Sequence, residues 1–171
     1  MSTAAMTATE LLNSLSPDDV AEALRKAGYR ASVGDTPSGP QIQSAAQGLG
    51  FFVAFGNELP SEAGRYADFS FHCWIAIEGS LPAGLIEGWN EGKRFARLFR
   101  RNQLLVLTMD VLVAGGVAPG NLQAQIEIWD RVIQDFLHHL KRPVSNGASN
   151  SASNNASHGA PEAAPASAAS A

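Results

Sequence analysis

Two spacings of hydrophobic residues predict the main elements of this chain. From residue 68 to residue 78 apolar side chains occupy every second position, the period of a strand that buries one face. From residue 119 to residue 141 they recur every three or four positions, as in a helix with one buried face. Pro143 ends that helix, because proline cannot continue it.

The first helix has a clear beginning in the sequence. Ser16 precedes Pro17 and two acids, so its hydroxyl can cap free backbone N–H groups while the acids meet the positive end of the helix dipole. Gly28 supplies a stop for the same helix. We therefore predict a helix from about residue 17 to residue 27.

The remaining elements lie between these two helices. We predict strands over residues 29–33, 41–46, 50–57, 94–99 and 104–113, a hairpin loop over 34–40 and a helix over 81–91. The order is α-β-β-β-β-α-β-β-α. Consecutive strands with short connections imply antiparallel pairing, so the expected fold is an α+β domain in which an antiparallel sheet packs with helices.

The two ends of the chain differ from this central part. Residues 143–171 are nearly all Ala, Ser, Asn, Pro and Gly. Such a segment buries too little apolar surface to offset the roughly 1–2 kcal/mol per residue that ordering a backbone costs. We predict a flexible N-terminus over 1–8, one domain over 9–142 and a disordered tail over 143–171, for which tethering of a partner is the alternative.

Composition narrows the classes of protein. The 171 residues include 12 Lys and Arg against 16 Asp and Glu, and the net charge of −4 argues against a surface wholly devoted to nucleic acid or anionic membrane. A single cysteine excludes an intrachain disulfide framework. The first fifteen residues lack the features of a secretory signal, and no stretch approaches the roughly 20 apolar residues that span a bilayer. We expect a cytoplasmic location.

Few residues suggest chemistry. His72 and Cys73 are adjacent on a predicted strand and so point to opposite faces, which prevents a nucleophile–base pair. Asp135 has the spacing to share a metal with His138 or His139, but histidines near a helix C-terminus more simply interact with its dipole. We predict no catalytic residue, no cofactor and no metal site.

Five basic residues concentrate within nine positions, interleaved with Phe95 and Phe99. This basic strip consists of Lys93, Arg94, Arg97, Arg100 and Arg101. As a functional element it would bind an acidic partner or, less favoured, nucleic acid. As a structural element it would be a solvated strand edge, balanced by Glu87 and Glu91, with both phenylalanines in the core. We favour the structural interpretation.

A series of short motifs resembles the YbjN family, over about residues 9–141. In order along the chain they are Trp89-Asn90 at a helix end, Arg94-Phe95 at a strand start, Met109-Asp110 within a strand, and Gly115-Gly116-Val117 before the last helix. The order and spacing of these motifs carry the resemblance. The chain departs from the family where a Ser or Thr and an acid usually begin the last helix, since Val117-Ala118-Pro119-Gly120 stands there.

The resemblance implies a fold similar to type III secretion chaperones, often dimeric, and no established enzymatic activity. Members are described as putative bacterial sensory transduction regulators, and no catalytic residue carries over to this chain. We therefore favour a non-enzymatic regulatory or chaperone-like module that binds a protein partner or a second copy of itself.

The candidate contact residues follow from exposure and charge. Trp74 lies on the more polar face of strand 68–78, where it marks an interface or is covered by the last helix. The full candidate set is Trp74, Trp89, Asn90, Lys93, Arg94, Arg97 and Arg100. The alternative function is a small enzyme or ligand-binding domain that uses His72, Asp110 or the basic strip from Arg94 to Arg101. It requires those groups to converge within about 6 Å at a concave pocket.

Overall fold

The computed structural model of the chain describes residues 11–141. The helices are α1 (Pro17–Lys26), α2 (Leu85–Gly92) and α3 (Pro119–Lys141). The strands are β1 (Ser32–Thr36), β2 (Gly39–Ala46), β3 (Leu49–Phe55), β4 (Glu58–Leu59), β5 (Glu62–Tyr66), β6 (Asp68–Ala76), β7 (Arg97–Arg101) and β8 (Leu104–Leu112). The predicted α+β class is confirmed, while the predicted ends 1–8 and 143–171 lie outside the described residues.

Six strands form the main sheet, in the order β1-β2-β3-β6-β8-β7. Every neighbouring pair is antiparallel, as predicted, and β1 and β7 are the two edges. Strands β4 and β5 form a separate small hairpin, which the sequence interpretation did not contain. Apart from this hairpin, the elements follow the predicted order α-β-β-β-β-α-β-β-α.

The hydrophobic core lies between one face of the sheet and the helices. Trp129 of α3 stacks on Phe71 of β6, with ring centroids 5.2 Å apart, and meets Phe51 of β3 edge-on at 5.8 Å. All three rings are buried. Large aromatic side chains dominate the free energy of core packing, so these contacts fix α3 across the middle of the sheet.

The start of α1 forms as the sequence predicts. Ser16 Oγ accepts from the Asp19 backbone N–H at 3.2 Å, and the Asp19 carboxylate accepts from the Ser16 N–H at 2.9 Å. This reciprocal capping box satisfies two of the free donors at a helix N-terminus. The cap therefore fixes the helix start independently of the core.

The predicted loop over residues 34–40 is wrong in its extent. β1 continues to Thr36 and β2 begins at Gly39, so the turn holds two residues. Thr36 Oγ1 donates to the Gly39 carbonyl at 2.8 Å and accepts from the Ser38 N–H at 3.2 Å. The threonine side chain closes a tight turn, and the flanking Gly and Asp residues remain in the strand.

The predicted start of the strand over residues 94–99 is also wrong. β7 begins at Arg97 instead of Arg94, because the preceding residues form a loop. Within it Phe95 has a φ of +71°. Strand backbone requires a negative φ, so the strand can begin only after this residue.

Candidate functional site

The outer face of the main sheet carries an aromatic patch, which we define as Phe52, Trp74, Phe99 and Val106. Side chains alternate along each strand, so these residues point away from the core face. Trp74 lies opposite Val106, and Val106 lies opposite Phe99. The helices of residues 11–141 bury their apolar sides against the other face, so the interpretation that α3 covers Trp74 is wrong.

The patch is packed but open to solvent. Trp74 is 44% exposed and Phe99 is 38% exposed, whereas Val106 between them is 2% exposed. The Phe52 ring meets Trp74 edge-on at 5.0 Å between centroids. The outer face of an antiparallel sheet is ordinarily polar, and contiguous exposed apolar surface marks interaction sites.

A paired charge lies beside the patch. Arg97 donates to the Asp110 carboxylate at 3.1 Å, and the Ser70 hydroxyl donates to the same carboxylate at 2.7 Å. Asp110 faces solvent. Both charged side chains are well exposed, so the pair contributes little to stability, but the two charges offset each other at the border of the patch.

His72 lies on the same face and is half-buried. Its ring stacks on Phe52 at 4.9 Å between centroids. Burial lowers the pKa of His72, the Asp110 charge raises it and the Arg97 charge lowers it further. The imidazole Nδ1 has no hydrogen-bond partner among residues 11–141, which favours a neutral ring inside an apolar contact.

The enzyme alternative needs His72 to act together with Asp110 and the arginines. A groove of about 730 Å³ beside the edge strand β7 is lined by Arg97 and Asp110 but not by His72. In the described part of the chain no hydrogen bond joins His72 to either residue. A general base must be within hydrogen-bond reach of the proton it transfers, and His72 makes no direct hydrogen bond to Asp110 or Arg97 among residues 11–141.

The lowered pKa of His72 predicts acid sensitivity of the fold. Below about pH 6.5 the unfolded chain binds this proton more readily than the folded chain does, so the free energy of unfolding falls with pH. We expect wild type to lose stability relative to His72→Gln between pH 7 and pH 5, by at most about 1.4 kcal/mol per pH unit for one proton. Urea unfolding of both chains at each pH measures this difference, and parallel pH profiles would contradict it.

Two other sequence candidates have structural roles. Cys73 is buried, and burial raises the pKa of its thiol to about 11, which disfavours the reactive thiolate. Asp135 binds Lys93 at 2.8 Å, and His139 Nε2 lies 2.7 Å from the Leu85 carbonyl oxygen. Over residues 11–141 no group of three or more His, Cys, Asp or Glu could hold a metal.

Trp89 and Asn90 fasten α2 to the edge strand β7. Trp89 is fully buried, and its Nε1 donates to the Ala96 carbonyl at 3.1 Å. The Asn90 amide donates to the Leu98 carbonyl at 2.8 Å and accepts from the Leu98 N–H at 2.9 Å. Unpaired backbone groups at a sheet edge can pair with another strand. Asn90 prevents this at Leu98, because its amide binds both the N–H and the carbonyl of that residue. Both residues were candidates for partner binding, but Trp89 has no surface to offer a partner.

The basic strip does not form one continuous surface of free charges. Lys93 pairs with Asp135, Arg97 pairs with Asp110, and Arg100 Nε donates to the Asn102 carbonyl at 2.9 Å. The Arg94 guanidinium lies 5.1 Å from the centroid of the Phe95 ring. The strip is therefore divided among a helix contact, a sheet face and a turn.

The structural interpretation of the basic strip placed both phenylalanines in the core and paired the strip with Glu87 and Glu91, and both of these predictions are wrong. Phe95 is 63% exposed and Phe99 belongs to the open aromatic patch, so neither phenylalanine lies in the core. The paired acids are Asp135 and Asp110, where the sequence suggested Glu87 and Glu91. Alternation places Phe99 and Arg97 on the same outer face, whereas Leu98 takes the core position.

A family model matches residues 16–142, which include all three helices and both sheets. The family carries the description Putative bacterial sensory transduction regulator. The chain belongs to the YbjN family. No curated protein matches the sequence, and none of the helices described here is both long and apolar enough to cross a membrane.

The motifs that carried the YbjN resemblance mostly maintain the fold. Trp89 and Asn90 anchor α2, as described above. Gly116 has a φ of +92°, and a Cβ at this position would approach Asn13 Oδ1 at 3.0 Å and Leu11 at 3.1 Å. Glycine therefore fits this turn of the YbjN chain better than any other residue. The surface features at Phe52, Phe95 and Val106 lie outside the candidate set that the sequence suggested.

Proposed function

We propose that this YbjN chain is a regulatory protein that acts by binding protein, catalyses no reaction itself, and uses the aromatic patch as its contact surface. The observation that carries the proposal is the exposure of Trp74 and Phe99 on a sheet face that no helix of residues 11–141 covers. Exposed apolar surface of this kind is unfavourable in water, and a partner that covers it gains free energy. Aromatic side chains are enriched in protein interfaces.

The partner we assign to the patch is a second copy of the chain. The charged pair at its border, Arg97 and Asp110, is satisfied internally, which leaves little net charge to select a strongly charged partner. In a two-fold dimer the same patch of each copy packs against the other, so both apolar surfaces are buried in one contact. A homodimer also agrees with the chaperone-like dimer that the sequence resemblance implies.

The test is the oligomeric state of purified full-length variants. Sedimentation equilibrium should show a wild-type dimer, and Trp74→Arg should weaken dimerisation by at least about thirtyfold, since interface tryptophans commonly contribute 2 kcal/mol or more. Val33→Arg is the matched control, because Val33 is 41% exposed on the distant edge strand β1. It should leave the dimer intact.

Each alternative result has a defined meaning. A monomeric wild type, or a dimer unaffected by Trp74→Arg, contradicts self-association through the patch. A monomer that retains a different protein, and loses it in Trp74→Arg, would assign the patch to that protein while preserving a binding function. Circular dichroism of each variant verifies that the fold is intact.

A further inference from the structure

A second cavity lies away from the aromatic patch, between the loop of residues 92–96 and α3; we call it the loop cleft. Its volume is about 320 Å³, within the range in which proteins bind small molecules. Its lining is apolar at Ile128 and Val132 and includes the fully buried Trp89, which exposes no surface of its own. Because Trp89 and Val132 are buried core residues, a ligand in the cleft would rest directly on the hydrophobic core.

The rim of the loop cleft is basic. Lys93, Arg94 and Arg131 line it together with one acid, Asp135, which is already paired with Lys93. Within residues 11–141, Arg94 and Arg131 form no ion pair. Guanidinium groups bind carboxylate and phosphate oxygens through paired, charge-assisted hydrogen bonds. Two uncompensated guanidinium groups above an apolar floor are complementary to an anion with an apolar part.

The backbone of the loop supplies an independent observation. Phe95 has a φ of +71° and is 63% exposed, so a bulky residue occupies a strained conformation with its ring in solvent. Such a conformation costs on the order of 1–3 kcal/mol and persists where the surroundings enforce it, most often at ligand sites. Here Trp89 holds both ends of the loop, since its carbonyl accepts from the Lys93 N–H at 2.8 Å and its Nε1 donates to the Ala96 carbonyl.

We propose that the loop cleft binds a small organic anion, a carboxylate or a phosphate monoester that carries an aromatic or branched apolar group. The apolar group packs against Phe95 and Val132, and the anionic group meets Arg94 and Arg131. The site shares no residue with the aromatic patch. Phe95 also lines the groove beside Phe99, but the two proposals rest on different residues, so either can fail without the other.

The first experiment is an NMR titration of the full-length chain with 1-naphthyl phosphate. We expect amide shifts concentrated in residues 92–96 and 128–135. The neutral analogue 1-naphthol should bind at least tenfold more weakly, and added salt should weaken binding of the phosphate. Titration with 1-naphthoate compares the two acid groups: preference for either one identifies the natural head group. Absence of binding, equal binding of 1-naphthol, or shifts centred on Trp74 would overturn the proposal.

Arginine variants test the charge on the rim. Arg131→Gln should weaken binding of 1-naphthyl phosphate by roughly tenfold or more, the loss expected for one charge-assisted contact. Arg100→Gln is the matched control, because Arg100 is exposed but does not line the cleft, and it should change the affinity less than twofold. Equal effects of the two variants would overturn the assignment.

A variant of Phe95 separates ligand binding from folding. Asparagine tolerates a positive φ, so Phe95→Asn should relieve the backbone strain and leave the thermal midpoint unchanged or higher. The same variant removes the aromatic wall and should weaken binding of 1-naphthyl phosphate severalfold. A variant that is less stable than wild type would show that Phe95 serves the fold, and the proposal would fall.

Discussion

Replacing Trp89 with Phe should lower the free energy of unfolding by about 1–3 kcal/mol more than replacing Trp129 with Phe. Both indoles are buried, with exposures of 0% and 1%, and each substitution removes the same ring volume. The difference lies in the indole N–H. Trp89 Nε1 donates to the Ala96 carbonyl at 3.1 Å, whereas Trp129 Nε1 has no partner among residues 11–141.

The physical reason is the cost of an unsatisfied buried acceptor. Phenylalanine at position 89 leaves the carbonyl of Ala96, a buried residue, without its hydrogen bond, which costs about 1–3 kcal/mol beyond the loss of packing. Phenylalanine at position 129 breaks no hydrogen bond of the described chain and can keep the stack on Phe71. Trp129→Phe is thus the matched control for Trp89→Phe.

Urea unfolding followed by far-ultraviolet circular dichroism measures both variants on one scale. Equal losses of stability would show that the Trp89 hydrogen bond contributes nothing and that α2 is held by packing alone. The result also concerns the loop cleft, because Trp89 fixes the loop that carries Phe95. If the bond matters, Trp89→Phe should weaken binding of 1-naphthyl phosphate as well as stability.

The elements that local chemistry determines were predictable from the sequence. The capping box at Ser16 and the alternation along β6 depend on residues within one turn or one strand. The bounds of α3, 119–141, match the predicted ones for the same reason: a long stripe of apolar residues precedes a proline. In these segments the local preference and the tertiary contacts agree.

Elements that depend on distant contacts were missed. β4 has two residues and no hydrophobic alternation, and its hairpin is held by paired backbone hydrogen bonds between Tyr66 and Leu15. Residues 94–96 were predicted as part of a strand, because Asn90 and Gly92 end the preceding helix and Asn102 offers a turn after residue 99. Hydrogen bonds from Trp89 and Asn90 across the edge of the sheet impose a different backbone there, and such contacts override local preference.

The composition of β8 indicates the aromatic patch in the sequence, although the periodicity of the strands does not. Strand β8 is apolar at nearly every position, and Val106 and Leu112 fall on the outer face together with Asp110. A strand that faces water on one side alternates with polar residues, whereas a strand covered on both sides is continuously apolar. The composition of β8 therefore favours a sheet whose outer face is partly covered, which agrees with the proposed dimer.

Asn90 was a candidate for partner binding, and a substitution decides between that role and its role in the fold. Asn90→Asp should lower the free energy of unfolding by about 1–3 kcal/mol at pH 7. The carboxylate can still accept from the Leu98 N–H, but it cannot donate to the Leu98 carbonyl, and it places a negative charge against that oxygen. The native amide satisfies both groups at the edge of β7.

Acid should reverse part of this loss. As the pH falls toward about 4, where an aspartic acid side chain binds a proton, the protonated carboxyl regains a donor for the Leu98 carbonyl, so the deficit relative to wild type should shrink. Gln103→Glu is the control, because it introduces the same charge at an exposed position of the β7–β8 turn. A deficit that is independent of pH, or no larger than that of Gln103→Glu, would contradict the edge-capping role. It would return Asn90 to the candidate contact surface.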